Sequence, residues 1–330
     1  MFVLLWDDID WDLQAEEDIR NFEYIEDAQA DFSNWLHKEL LARNPNSRLM
    51  ICPMIYSGRG HNPYIARLGG QLNPGIDLMW TGREVRSPYI DSVDAEVFTE
   101  DAGRPPLYWD NFPVNNLSMR FELHMGPLVG RQPDLALTSR GLLSNPMNQF
   151  ECSLLPLFTV GKFLSDPGSY NPDEAWSEGF SQLFGNEDLS AELMRFFRSV
   201  MSSPINSDAA PEFRRKLSTG LTHLRNGDTQ SAAAIVQALA DEVTHDAHCL
   251  LRHPNPSPVF VEIMPWLPKY LLCGETLSTL AKYMSRPTPD NREDLQRRAE
   301  SLDADRHIVF GDILDGAVDE VLRFVRGSEG

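Results

Sequence analysis

The residues best suited to chemistry stand where Met1-Phe-Val-Leu-Leu-Trp-Asp-Asp-Ile9 runs an apolar stretch directly into two adjacent carboxylates, Asp7 and Asp8. Neighbouring like charges resist ionising together, so one carboxyl keeps its proton to higher pH while the other stays anionic. Such a pair divides the labour of acid–base catalysis: one group gives up a proton and the other steadies developing positive charge. An isolated Asp-Asp pair more commonly caps a helix or sits on a solvated turn. Its surroundings therefore decide what it means.

Asp7 and Asp8 need rigid elements to hold them, and the first half of the chain supplies a series. Phe2–Trp6 is a continuous apolar run, as expected of a strand buried on both faces. Ile19, Phe22, Ile25, Phe32 and Leu36 then follow helical spacing, and the segment ends near Asn44-Pro45. Leu49–Cys52, Ile76–Trp80, Pro106–Trp109 and Gly141–Ser144 repeat the short apolar theme, each closed by polar, Gly-rich or Pro-rich sequence. Strands alternating with helices predict parallel β-α units. If the strands are parallel, the residues just past each one share a face: Asp7-Asp8, Tyr56, Thr81-Gly82, Asp110-Asn111 and Asn145. In a β/α barrel that is the catalytic face.

The pattern changes near Asp166-Pro-Gly-Ser-Tyr-Asn-Pro-Asp-Glu174. Asn171 suits a helix N-cap, Pro172 a first turn, and Asp173 and Glu174 the positive end of a helix. Beyond it Leu189, Leu193, Phe196, Phe197 and Val200 form one apolar stripe, and Ile235, Val236, Leu239 and Val243 another. Loops rich in Pro, Ser and Asn are expected at Ser202–Ser207, Arg252–Pro258 and Arg286–Asn291. The expected division is a barrel-like part over residues 1–170 and an all-α bundle over 171–330.

The 330 residues carry 29 basic and 49 acidic groups, a net charge of −20 that argues against nucleic acid or anionic membrane surfaces as partners. No apolar run reaches the roughly 18 residues needed to span a bilayer, and the apolar start is too short and lacks the basic leader of a signal peptide. A cytoplasmic location is expected. Cys52, Cys152, Cys249 and Cys273 are widely spaced and read as reduced, mostly buried thiols. No cofactor or metal is expected. Gly58 and Gly60 do not make a phosphate loop, His245-Asp-Ala-His248 lacks a third ligand, and no Gly-x-Ser-x-Gly elbow is present.

The Asp-Asp pair belongs to an ordered set of local motifs. Leu4-Leu-Trp-Asp-Asp-Ile9 is followed by Cys52-Pro-Met-Ile-Tyr56, Trp80-Thr-Gly82 and Val85-Arg-Ser-Pro-Tyr-Ile90. Then come Leu107-Tyr-Trp-Asp-Asn-Phe-Pro-Val-Asn115, Gly126-Pro-Leu-Val-Gly-Arg131 and Gly141-Leu-Leu-Ser-Asn-Pro-Met147 with Phe150-Glu151. In wording and order this set resembles glycoside hydrolase family 84, the O-GlcNAcase and hyaluronidase-like β-N-acetylglucosaminidases. The resemblance covers roughly residues 2–165 and extends to Asn171-Pro-Asp-Glu-Ala-Trp176 and Met264-Pro-Trp-Leu-Pro-Lys269.

The resemblance implies an α/β fold, a partial (β/α)8 TIM-type barrel with strands equivalent to the fourth to eighth, followed by the helical bundle. It also implies a retaining β-N-acetylglucosaminidase acting by substrate assistance on GlcNAc-bearing glycans or O-GlcNAc proteins. Asp7 then orients the substrate's acetamido group, and Asp8 is the acid/base. Tyr56, Trp109, Asn111 and Asn145 become pocket residues. Asn116 stands where the family usually carries an Asp for the sugar 4- and 6-hydroxyls, and an amide lacks the charge that strengthens such bonds. A closed barrel has eight strands, and five are legible. A missing N-terminal segment or a partner is therefore expected to complete it. The competing reading is a truncated or decayed glycan-binding protein without turnover.

Overall fold

The computed structural model describes residues 1–207, 210–254 and 257–327, with side chains to Phe324. Asn255 and Pro256 of the expected Arg252–Pro258 loop lie outside the described residues. The chain divides into two compact units that interleave in sequence. One comprises 1–112, 128–145 and 160–170, and the other 113–127, 146–159 and 171–330.

The first unit alternates strands and helices: β1 (Phe2–Leu5), α1 (Glu16–Asn21), α2 (Ile25–Arg43), β2 (Leu49–Cys52), α3 (Pro63–Gln71), β3 (Ile76–Trp80), α4 (Ser92–Ala102), β4 (Leu107–Pro113), α5 (Leu135–Thr138) and β5 (Gly141–Asn145). The strands form one five-stranded sheet in the order β1-β2-β3-β4-β5, and the paired neighbours β1–β2, β2–β3 and β3–β4 run parallel. The β1 register pairs Phe2 with Leu49 and Leu5 with Cys52. This is the partial barrel the sequence implies. β2 and β3 are buried throughout, which is why they read as unbroken apolar runs.

β1 behaves differently. Phe2, Val3 and Leu5 are 49%, 47% and 49% exposed, although alternation sends Val3 and Phe2 to opposite faces of the sheet. Trp35 and Phe32, on the neighbouring α2, are also exposed. The edge strand is thus open at Val3 and Leu5 on one face and at Phe2 on the other, where Leu4 is partly covered.

Local chemistry fixes the helices. Asn62 caps α3 by accepting from the N–H groups of Tyr64 and Ile65, and Pro63 occupies the first turn. Gly69 lets α3 approach α4 closely, since a Cβ there would stand 2.5 Å from the Ala102 carbonyl oxygen. The buried Arg104 guanidinium donates to the carbonyls of Asn73, Ile76, Gly69 and Leu72, gathering the C-terminal end of α3 and the loop into β3. The single helix expected across Ile19–Leu36 is broken, because Phe22 and Tyr24 adopt extended backbone between α1 and α2. α2 is held by Asp27, which accepts two hydrogen bonds from Arg67 on α3.

The second unit contains most of α6 (Phe150–Ser165), then α7 (Pro172–Phe184), α8 (Ser190–Ser199), α9 (Pro211–Arg225), α10 (Thr229–Leu251), α11 (Pro258–Ile263), α12 (Leu267–Ser285), α13 (Pro289–Ala304) and α14 (Ile313–Gly327). Asn171 caps α7 through Asp173 and Glu174, as its sequence predicts. Leu193, Phe196, Phe197, Val236, Leu239 and Val243 from the two apolar stripes are buried in one core. α10 and α12 approach closely at Gly274, where a Cβ would stand 2.4 Å from the Thr244 hydroxyl.

Polar anchors explain why two early segments join this unit. The Trp176 indole donates to the Met125 carbonyl at 2.7 Å, and the Trp266 indole to that of Phe121 at 2.7 Å. The Glu262 carboxylate accepts from the N–H groups of Glu151 and Cys152 at the start of α6, where helix donors lack internal partners. All four cysteines are free thiols, three of them buried. No described helix is long and apolar enough to cross a membrane.

Candidate active site

The site is built from strand ends of the first unit. In β4, burial alternates: Tyr108, Asp110 and Phe112 are buried, while Trp109 and Asn111 are partly open. The two-residue period therefore sets Trp109 and Asn111 on one face. Tyr56, Trp109 and Leu143 pack over the apolar cluster of Met50, Cys52, Met79 and Leu107, so this is the inner face of the sheet. The β1 register matches Leu5 with Cys52, and Asp7 and Asp8 follow in a turn past the strand end, where their charges act on Cys52 and Tyr56. Leu4 and Trp6 instead pack into the opposite, helix-covered layer.

Asn145, two residues past Leu143, donates from Nδ2 to Oδ1 of Asn111 at 2.9 Å. Asn111 in turn donates to the Val85 carbonyl at 2.7 Å. The chain of bonds orients both amides and leaves donor and acceptor capacity on Asn145 for a ligand.

Asp7 is partly buried and Asp8 exposed. Burial raises the Asp7 carboxyl above the ordinary aspartate value, its own backbone N–H works in the opposite direction, and the Asp8 charge adds to the rise. The sequence predicts a split between neighbouring carboxylates. The group raised is Asp7, the one expected to serve as the anion, with burial as the larger cause. Burial also pushes the Cys52 thiol up to about 12, with Asp7 and Asp8 contributing, so both charges act at the end of β2. The Tyr56 phenol is raised by burial and then by Asp7, Asp8 and Cys52, which keeps it a protonated donor.

Two expected face residues serve the scaffold. The Thr81 hydroxyl donates to backbone oxygens of Tyr56 and Glu84, linking the loops after β2 and β3. Asp110 is buried and accepts twice from Arg131, at 2.8 and 2.6 Å. Arg131 also donates to the carbonyls of Pro88 and Val129, and Gly130, at φ 75°, passes so close to Pro88 that a Cβ would stand 2.1 Å from its carbonyl oxygen. Three of the sequence motifs thus meet to brace β4. The Asp110–Arg131 clamp and the Val85 carbonyl escape sequence reasoning, because each pairs residues distant along the chain. Asn116 is exposed, opens a short 3-10 turn at Leu117–Met119, and belongs to the second unit.

In the helical unit, donor atoms of Glu192, His245 and Asp246 lie within 4.8 Å of one another. Both Asp246 oxygens accept from Arg195 at 2.6 Å, so a guanidinium already stands where a cation would be held.

A family model described as β-N-acetylglucosaminidase matches residues 1–198. The chain belongs to the β-N-acetylglucosaminidase family. This β-N-acetylglucosaminidase-family chain is 31% identical over 165 residues to Protein O-GlcNAcase of Rattus norvegicus, and equally to that of Mus musculus. Those matches cover 48% of this chain and 18% of each relative, so the chain spans only a small part of their length. A solved O-GlcNAc hydrolase mutant of Thermobaculum terrenum is similar over 99% of this chain and 73% of that one, with 26% identity and a TM-score of 0.86.

Proposed function

We propose that this chain carries the catalytic carboxylates of a retaining β-N-acetylglucosaminidase that works by substrate assistance. The observation that carries the reading is the hydrogen-bonded pair of amides, Asn111 and Asn145, on the face of Trp109, with the Asp7 and Asp8 charges acting on Tyr56 and Cys52 beside it. An aromatic wall beside a few fixed amides suits a neutral sugar.

In the proposed reaction the substrate's acetamido oxygen attacks the anomeric carbon while the bond to the leaving oxygen breaks. Asp8 protonates that oxygen, and an oxazoline results. Water then attacks the anomeric carbon, Asp8 takes its proton, and the acetamido group is restored. Asp7 accepts the acetamido N–H, and its anion steadies the positive charge that spreads into the oxazoline. Desolvation raises Asp7 in the free protein, and an N–H donor from the substrate opposes that rise. Tyr56 donates at the reacting centre, Trp109 walls the sugar, and Asn111 and Asn145 take its polar groups.

The substrates proposed are GlcNAc-bearing glycans or O-GlcNAc proteins, the latter supported by the names of the mammalian relatives. The exposed faces of β1 support a further polypeptide of β-α units, preceding or separate, that covers Phe2, Val3 and Leu5 and completes the barrel. The same exposure favours the second reading, a glycan-binding protein without turnover.

A fluorogenic β-N-acetylglucosaminide and the matching β-glucoside, which lacks the acetamido group, separate these readings in the assembled protein. Substrate assistance requires hydrolysis of the first and inertness toward the second. Equal turnover of both would defeat the mechanism, and saturable binding without turnover would establish the non-catalytic reading.

A further inference from the structure

The helical unit surrounds a cavity of about 500 Å³ that the glycosidase reading does not use. Its size is that of a small-molecule site, typically about 300–1,000 Å³. Trp176, Phe213, Tyr270 and Phe310 line it, all buried as side chains yet reaching its wall. Phe213 and Phe310 stack with centroids 4.0 Å apart and planes 20° from parallel, and Tyr270 lies 5.7 Å from Phe310.

The backbone around this aromatic wall is strained. Phe310 and Ala210 both line the cavity, and both adopt left-handed backbone, with φ 61° and 47°. They are two of four such non-glycine residues among those described. A bulky side chain rarely accepts this conformation, and such outliers gather where a ligand-holding surface must be fixed. The Phe310 N–H donates to the Ser199 carbonyl at 2.7 Å, which fixes the backbone at this position.

The mouth carries paired opposite charges. Glu212 lies 3.4 Å from both Arg198 and Lys216, and Lys216 lies 3.7 Å from Glu242. All four side chains are more than a third exposed, so they are free to exchange partners. Arg195 is spent on the buried Asp246. Asp173 also lines the cavity, so the rim carries three carboxylates beside the two unspent cations, Arg198 and Lys216, and disfavours a lone anion. It offers adjacent partners to a molecule that carries both charges.

We propose that this cavity binds a small aromatic zwitterion of the amino-acid type. The ring lies against Phe213 and Phe310 with Tyr270 beside them, the ammonium group meets Glu212 and Glu242, and the carboxylate meets Lys216 and Arg198, which itself lies over the Trp176 ring. Aromatic side chains supply edge and face contacts for the ring, and charge-assisted bonds fix its polar end.

Titration of the whole protein with L-tryptophan, read by NMR of labelled methionine methyl groups, tests the site. Met194 and Met201 line the cavity, whereas Met50 and Met79 lie in the barrel unit. The expected result is a saturable shift of Met194 and Met201 with Met50 and Met79 unmoved. Tryptamine and indole-3-acetate each lack one charge and should bind about tenfold more weakly. Lys216→Met combined with Glu242→Gln should weaken tryptophan about tenfold without lowering Tm, since exposed ion pairs add little stability. The absence of a saturable shift, a uniform shift of all four methionines, or equal affinity for the three indoles would each overturn the proposal.

Discussion

The side-chain amide of Asn145 donates to Oδ1 of Asn111 at 2.9 Å, joining the ends of β5 and β4 on the face that carries Trp109. Because each amide orients the other, their contributions to the proposed sugar binding should be coupled. Asn145→Ala and Asn111→Ala should each weaken an N-acetylglucosamine-type inhibitor by roughly 1–2 kcal/mol, about 5- to 30-fold. The double variant should be little worse than either single one. Calorimetry on the four proteins measures the coupling, and strictly additive losses would mean that the amides act separately.

Asp7 gives a pH dependence with a definite sign. Its carboxyl is raised in the folded chain by burial, with Asp8 adding to the effect. The stabilising contribution of its protonated form is therefore complete below the ordinary aspartate value of about 3.9 and is lost as pH rises through the raised value. Asp7→Asn cannot ionise, so its Tm should gain on the unaltered protein as pH rises from below the ordinary aspartate value through the raised one. Inhibitors with an acetamido N–H should bind the unaltered protein more tightly as pH climbs through the same interval, because the anion is the better acceptor. A Tm difference that stays flat with pH would remove the shift from the account.

The Asp110–Arg131 clamp should matter for stability first. Both residues are buried and joined by two short hydrogen bonds. Arg131→Met strands the Asp110 charge among apolar neighbours, which costs about 3–5 kcal/mol. Denaturant unfolding should show that loss, and replacing Asp110 with Leu in the same chain should recover part of it. No recovery would indicate that Arg131 stabilises through its bonds to Pro88 and Val129 instead.

The open edge at β1 makes a prediction about association. Phe2, Val3 and Leu5 present apolar side chains and an unpaired strand edge, a template for pairing with other chains. Val3→Lys with Leu5→Lys should lower concentration-dependent self-association in light scattering while leaving helical content unchanged. Unaltered association would place the sticky surface elsewhere.

Much of this arrangement is legible from the residues. The strands announce themselves as short apolar runs because their side chains are buried on both faces, and Asn171 marks its helix because a cap needs a short polar side chain followed by proline. Trp109 and Asn111 share a face by the two-residue period alone. What stays hidden depends on contacts between distant residues. The break between α1 and α2 sits inside an apolar spacing that suits one helix, and Arg67 on α3 clasps α2 just beyond it. Asp110 looks like a face residue until Arg131 closes on it. Residues 113–127 and 146–159 read as barrel by position but are held in the helical unit by Trp176, Trp266 and Glu262.

In the proposed reaction Asp8 is the acid/base beside a substrate-borne nucleophile. The most direct test is Asp8→Asn in the assembled protein, assayed on two N-acetylglucosaminides that differ only in leaving group. The expected result is a loss of about 10²–10⁴ in kcat/KM for a poor alkoxide leaving group, and a much smaller loss for an activated phenolate that departs without protonation. Turnover of the poor leaving group at the unaltered rate would contradict it.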